Sequence, residues 1–198
     1  MTFDELDSKL GGNLVAANWH RHCNGGGWIE NTATVEDSAY IGPGAQVYGN
    51  AQVYGDARVY GNAQVYGNAQ VYGAAQVYGN AQVYGAAWVY GNAWVYGNAR
   101  VYGAAWVYGN AWVYGNAWVY GDAWVSGDAW TTSPLYVAGS RYSLTNAKHG
   151  HIQIGCKCHP FAWWLSCAAE ELARRENFTA EEIEEYRQLI ELFVKIGK

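Results

Sequence analysis

The chain is poor in the residues that usually fill a protein core: in 198 residues it has 4 Phe, 1 Met and 3 Pro. A layered domain built on large aliphatic and Phe side chains is therefore not expected. Charge is also sparse, at 15% of residues with a formal net charge of −5, so neither a basic nucleic-acid surface nor a charge-rich disordered chain fits. No apolar run approaches the roughly 20 residues of a membrane span. Met1-Thr2-Phe3-Asp4-Glu5 lacks the basic-then-apolar pattern of a signal peptide, so the cytoplasm is the expected location. What the chain has instead is 25 Gly, 17 Tyr and 11 Trp.

Their placement follows one period. From Ala45 to Asp128 run fourteen units of the form A-x-V-Y-G-N, and the frame reaches back through Ala39-Tyr40-Ile41, Ala33-Thr34-Val35 and Gly27-Trp28-Ile29. One degenerate unit, Ala129-Trp130-Thr131, follows. In an extended chain Ala and Val share one side while x and Tyr share the other, and Gly-Asn supplies a corner. Such a unit cannot bury its apolar side alone, so stacking into a solenoid is expected.

These hexads resemble the hexapeptide-repeat, left-handed parallel β-helix family. The resemblance implies an all-β solenoid with three hexads to a triangular coil, about six coils over residues 27–134, and it implies the left hand. Residues 18 apart then stack at about 4.8 Å, giving a prism roughly 25–30 Å long. One outer column would read Gln46, Gln64, Gln82, Arg100, Trp118; a second Gln52, Gln70, Trp88, Trp106, Trp124; a third Arg58, Gln76, Trp94, Trp112, Trp130. The early coils are coated with Gln and Tyr and the late ones with Trp and Tyr.

So large an exposed aromatic area calls for a cover. Three readings stand: burial in a homo-oligomer, for which the family resemblance implies a trimer; a platform on which a sugar ring or nucleobase stacks; or mutual stabilisation of neighbouring coils. The residues read as recognising a ligand or partner are Trp88, Trp94, Trp106, Trp112, Tyr90, Tyr96, Arg58 and Arg100. The two Arg are the only cations in the fourteen regular units and suit a phosphate or carboxylate.

The family resemblance also implies a test for enzymes. Acyltransferases of this family use a His near a coil corner as general base, with a loop inserted between coils; related carbonic anhydrases bind zinc through three His on the coils. No His and no insertion lies between Gly27 and Trp130. All five His and all four Cys are in the flanks. If the protein is a CoA-dependent acyltransferase, His149 or His151 at a subunit interface is the candidate base. Cys156, Cys158 and His159, with His20, His22 and Cys23 as further donors, form a weaker zinc candidate. Residues 149–158 alternate as one strand with Ile152, Ile154, Cys156 and Cys158 on one side and His149 and His151 on the other, which separates the donors. Buried, reduced Cys is the favoured reading, in a reducing compartment and with no cofactor.

The ends differ from the repeat. Residues 1–26 form an N-terminal cap with a short helix over Thr2 to Leu10. Residues 135–159 form an irregular or strand segment, and 160–198 a helical hairpin. Pro160 starts its first helix, with Phe161, Trp164, Leu165, Ala168 and Leu172 on one face. Thr179 and Glu182 make a capping box for the second, with Ile183, Tyr186, Ile190 and Phe193 inward. This hairpin is expected to cover the last coil or an oligomer axis. The flanking His22-Cys-Asn-Gly-Gly-Gly-Trp28, His151-Ile-Gln-Ile-Gly-Cys156 and Trp163-Trp164 resemble bacteriophage and prophage hexapeptide-repeat proteins. That implies a bacterial host cell, with a host protein, a small nucleotide or sugar ligand, or a virion as the setting for a non-catalytic scaffold.

Overall fold

The computed structural model describes residues 1–197. Helix α1 (Phe3–Leu10) is closed at its start by the Thr2–Glu5 capping box. Strand β1 (Trp19–Arg21) then pairs antiparallel with the first solenoid strand, β2 (Trp28–Glu30). From β2 to β19 (Ala129–Trp130) the described residues form eighteen short strands, six on each of three parallel faces, so the solenoid has six coils. The first face carries Gln46, Gln64, Gln82, Arg100 and Trp118 in register. The second carries Gln52, Gln70, Trp88, Trp106 and Trp124, and the third Arg58, Gln76, Trp94 and Trp112.

The unit dictates this arrangement. Each Ala from Ala45 to Ala123, except those in the x or corner positions, and each Val from Val47 to Val125 is fully buried, filling a narrow lumen with small side chains. The x, Tyr and corner N–H groups donate to the next coil, as in Gln64 N to Ala81 O (3.0 Å), Tyr66 N to Val83 O (3.0 Å) and Asn80 N to Gly97 O (2.8 Å). Every coil thereby satisfies its neighbour's backbone. Glycine is required at the corner for two reasons. At Gly79 φ is +72°, and an added Cβ would sit 3.0 Å from Gly97 N in the coil below.

The last hexad departs from the expected frame. Trp112 pairs with Ala129 and Val113 with Trp130, one residue out of the 18-residue step. The cause is a tighter corner: Gly127 (φ +62°) and Asp128 (φ +56°) are both left-handed, and Trp112 N donates to Asp128 O at 2.8 Å where an alanine carbonyl serves elsewhere. Trp130, expected on the third outer column, is therefore turned inward to the position of a Val, where it is 1% exposed and plugs the lumen.

Beyond the plug, β20 (Tyr136–Ala138), β21 (Ser143–Lys148), β22 (His151–Ile154) and β23 (Lys157–Pro160) form an antiparallel sheet. This sheet, through β21 against the strand Trp124–Ser126, meets the last coil. The C-terminal helices, expected to cover the last coil or an oligomer axis, pack on the sheet, where Trp164, Tyr186, Ile190 and Phe193 share a second core with Leu144, Ile152 and Ile154. The expected first helix is two: α2 (Phe161–Trp164) and α3 (Cys167–Arg175). The break follows from Trp164, whose indole donates to Ile152 O (2.9 Å), while Ser166 Oγ folds back on Trp163 O (2.6 Å), leaving Leu165 exposed. Helix α4 (Ala180–Ile196) starts at the Thr179–Glu182 capping box and buries Tyr186, Ile190 and Phe193.

Candidate functional site

The outer columns stack ring on ring. Trp88, Trp106 and Trp124 lie parallel on the second face with centroids 4.9 and 4.8 Å apart, and Trp94 and Trp112 lie 5.0 Å apart on the third. Tyr90 stacks between Tyr72 (4.9 Å) and Tyr108 (5.4 Å) and meets Trp106 edge-on at 6.1 Å. Tyr96 sits between Tyr78 (4.8 Å) and Tyr114 (4.9 Å). The coil repeat sets this spacing, and offset parallel rings at that separation attract.

The eight residues expected to recognise a partner lie on all three faces, as their columns imply: Trp88, Trp106 and Tyr90 are on the second face, Trp94, Trp112, Tyr96 and Arg58 on the third, and Arg100 on the first. The aromatic area is mostly covered by itself. Within a stack both faces of a ring are occupied, so most of these rings are half-buried and present edges to solvent. The exposed Arg58 guanidinium lies 5.2 Å from the Tyr40 ring and 5.7 Å from Tyr60.

Open ring faces occur only where a stack ends. Below Trp112 stands Ala129, and no strand follows Trp118 on the first face, so these rings are 42% and 44% exposed, with Tyr120 at 37%. The Arg100 guanidinium lies 5.2 Å over Trp118 on the other side. Trp118 and Tyr120 were not among the expected recognition residues. Their signal was in the sequence: Trp118 is the last member of the column that contains Arg100, and a last ring has one free side.

At the opposite end the first face is covered. The α1 side packs Phe3 edge-on to Trp28 (5.7 Å), Trp28 Nε1 donates to Met1 O (3.3 Å), and Trp19 meets Tyr48 (6.0 Å). Gln46 is completely buried there and begins an amide ladder: Gln64 Nε2 donates to Gln46 Oε1 (3.0 Å), and Gln82 Nε2 donates to Gln64 Oε1 (2.9 Å). Burial pushes the phenols of Tyr48, Tyr66 and Tyr84 above their ordinary range, Tyr48 furthest.

The flanking His and Cys also differ from expectation. Residues 149–158 are not one strand, because Gly155-Cys156 is the turn between β22 and β23 and Gln153 pairs with Cys158. Cys156 is exposed at that turn, Cys158 is half-buried, and Cys23 and Cys167 are exposed, so these thiols are not buried core residues. Burial raises the Cys158 pKa, and burial with the nearby Lys157 charge lowers that of His159, whose ring stacks on Trp163 at 3.7 Å. His149 donates its backbone N–H to Asp128 Oδ2 (2.7 Å) and sets its ring edge-on to Trp130 (5.1 Å). His151 Nδ1 lies 2.9 Å from His149 O.

Sequence reasoning missed a cavity of about 400 Å³ in the C-terminal cap. Ile154, Trp164, Leu172, Phe178, Tyr186 and Ile190 line it, and neither His149 nor His151 does. It depends on the sheet and the broken helix together, and no single segment announces it.

Fold and surface together define a repeat protein built as a parallel β-solenoid. A family model described as the YdcK beta solenoid repeat matches residues 51–67, 63–79, 75–91, 93–109, 105–121 and 111–127, all within the regular coils. No curated protein and no solved structure matches the chain. Among the described residues no helix is long and apolar enough to cross a membrane.

Proposed function

We propose that the protein is a non-catalytic binding scaffold that engages its partners with the aromatic end of the solenoid. The carrying observation is the pair of open indole faces, Trp112 and Trp118, with Arg100 beside the second, on coils that otherwise cover their own rings. A large amphipathic ring on a rigid backbone gives binding area at little entropic cost. The first partner in this reading is another copy of the chain, in a homo-oligomer; in the bacterial or prophage setting that the flanks resemble, a host macromolecule is the next. Replacing both residues in Trp112→Gln/Trp118→Gln keeps the side chain used in the early coils and should leave the circular dichroism unchanged. Light scattering should give a mass above 21.8 kDa for the wild type and 21.8 kDa for the variant. A wild type at the monomer mass, or a variant that assembles equally well, overturns self-association through these rings.

The cap cavity supports a second reading, a small apolar ligand held between Trp164, Phe178 and Tyr186, since its volume is that of small-molecule pockets. An anilinonaphthalene probe should bind in one equivalent and be excluded by Ala173→Trp. Equal binding by that variant, with its circular dichroism intact, would remove the cavity from consideration. CoA-dependent acyl transfer gains no support from the positions of His149 and His151 described above.

A further inference from the structure

The loop between β1 and β2, His22-Cys23-Asn24-Gly25-Gly26-Gly27, is pressed against the first coil. A Cβ on Gly25 (φ +108°) would collide with the Ile41 carbonyl, and one on Gly27 with the Ile41 side chain. Three bonds hold the loop there: Gly27 N to Ile41 O (2.8 Å), Ile41 N to Asn24 O (3.0 Å) and Asn24 Nδ2 to Ser38 O (3.3 Å). The glycines thus allow an approach that sets His22 and Cys23 beside the corner Glu36-Asp37-Ser38. A ring nitrogen of His22, Cys23 Sγ and a carboxylate oxygen of Asp37 all lie within 4.8 Å of one another.

We propose that His22, Cys23 and Asp37 form a site for a divalent zinc-class ion, with a fourth position open to solvent. The donor set is the first reason, since thiolate, imidazole and carboxylate together select zinc over the oxygen-seeking magnesium and calcium. The spacing is the second. Tetrahedral zinc bonds of about 2.3 Å to sulfur and about 2.1 Å to oxygen place those two atoms about 3.6 Å apart, and Cys23 Sγ lies 3.3 Å from Asp37 Oδ1. The third is the orientation of the imidazole, which is 6% exposed. His22 Nε2 stands 3.1 Å from Glu36 O and Nδ1 3.1 Å from Asn24 O, with the Asn24 N–H 3.3 Å from Nδ1. Both carbonyls only accept, so a ring proton held on one of them leaves the other ring nitrogen as the metal donor, and a backbone carbonyl on the far nitrogen is the usual partner that orients a metal-binding imidazole. Cys23 and Asp37 are exposed, which gives the ion its entry. Binding exchanges the Cys23 thiol proton, released to solvent, for the Sγ–metal bond and draws the His22 ring toward the other two donors. The ion then ties the N-terminal cap to the first coil.

The test uses the full-length protein, titrated with Zn²⁺ against a chromophoric chelator and with Co²⁺ for its thiolate charge-transfer band. One equivalent should bind, and the variant Cys156→Ser/Cys158→Ser/Cys167→Ser should keep both signals. Cys23→Ser should abolish the cobalt band, and both it and Asp37→Asn should weaken zinc binding by at least about tenfold, the scale lost even when an outer partner is removed. Circular dichroism identical to the wild type shows that these variants fold. Absence of stoichiometric binding, loss of the band in the triple variant, or unchanged affinity in folded Cys23→Ser overturns the site.

Discussion

The early and late coils share one interior and one corner but wear different coats. Ala and Val fill both, and the backbone bonds between coils stay between 2.7 and 3.0 Å from Gln64 to Trp106. Outside, the early coils join amide to amide or phenol to amide, as in Gln64 Nε2 to Gln46 Oε1 (3.0 Å), Tyr54 to Gln70 (3.0 Å) and Tyr60 to Gln76 (3.1 Å). The late coils stack indoles at 4.8–5.0 Å. One repeat distance suits both, because it is close enough for an amide ladder and for offset aromatic stacking. The backbone is therefore indifferent to its coat, and the coat is free to carry function. Its two ends are treated differently: α1 and the cap loop cover Gln46 and Trp28, whereas Trp112 and Trp118 are left with an open face.

The sharpest way to break the comparison is to remove the same ring from the inside and from the outside. Trp130→Ala empties the end of the lumen and should cost about 3–5 kcal/mol. Trp112→Ala, exposed and stacked on one side, should cost about 0.5–1.5 kcal/mol, the worth of one aromatic pair. Urea unfolding monitored by circular dichroism measures both. Equal losses would mean that Trp130 is on the outer column after all. Trp130 Nε1 is buried with no hydrogen-bond partner among the described residues, so Trp130→Phe, which removes that donor, should lose less than Trp130→Ala.

That contrast also marks how far the sequence could be read. The period in Ala45 to Asp128 was enough for the class of fold, the three columns and the buried Ala and Val, because each hexad meets only its neighbours. It failed at Trp130, where the corner Ser126-Gly127-Asp128 keeps the Gly of the repeat, with Ser for Tyr and Asp for Asn, yet drops one residue of register; two successive left-handed residues do not show in the letters. It failed again at Gly155-Cys156, where alternation runs on through a turn. The open faces of Trp112 and Trp118 depend on what stands beyond them, and the His22–Cys23–Asp37 cluster joins residues 14 and 15 apart through the glycine contact with Ile41. Local pattern carries none of these.

The smallest effect concerns the Tyr columns and is read in alkali. Tyr48, Tyr66 and Tyr84 have phenol pKa values raised by burial, with the neighbouring phenols adding to the shift. Folding therefore favours the protonated ring, and the unfolded chain gives up its protons first. The stability these groups contribute is complete below the unfolded phenol pKa, about 10, and is lost as pH rises through the higher folded values. The urea midpoint should stay level up to about pH 9.5 and then fall. Phenolate absorbance should lag that of a denatured control until the solenoid opens. Tyr48→Phe, which removes the phenol most strongly shifted and closest to the covered end, should reduce the alkaline slope more than Tyr96→Phe in the late coils, whose ring is less deeply buried. Equal slopes in the two variants would mean that the cap formed by α1 and Trp19 does not shield the early column, and the two ends would then differ in composition alone.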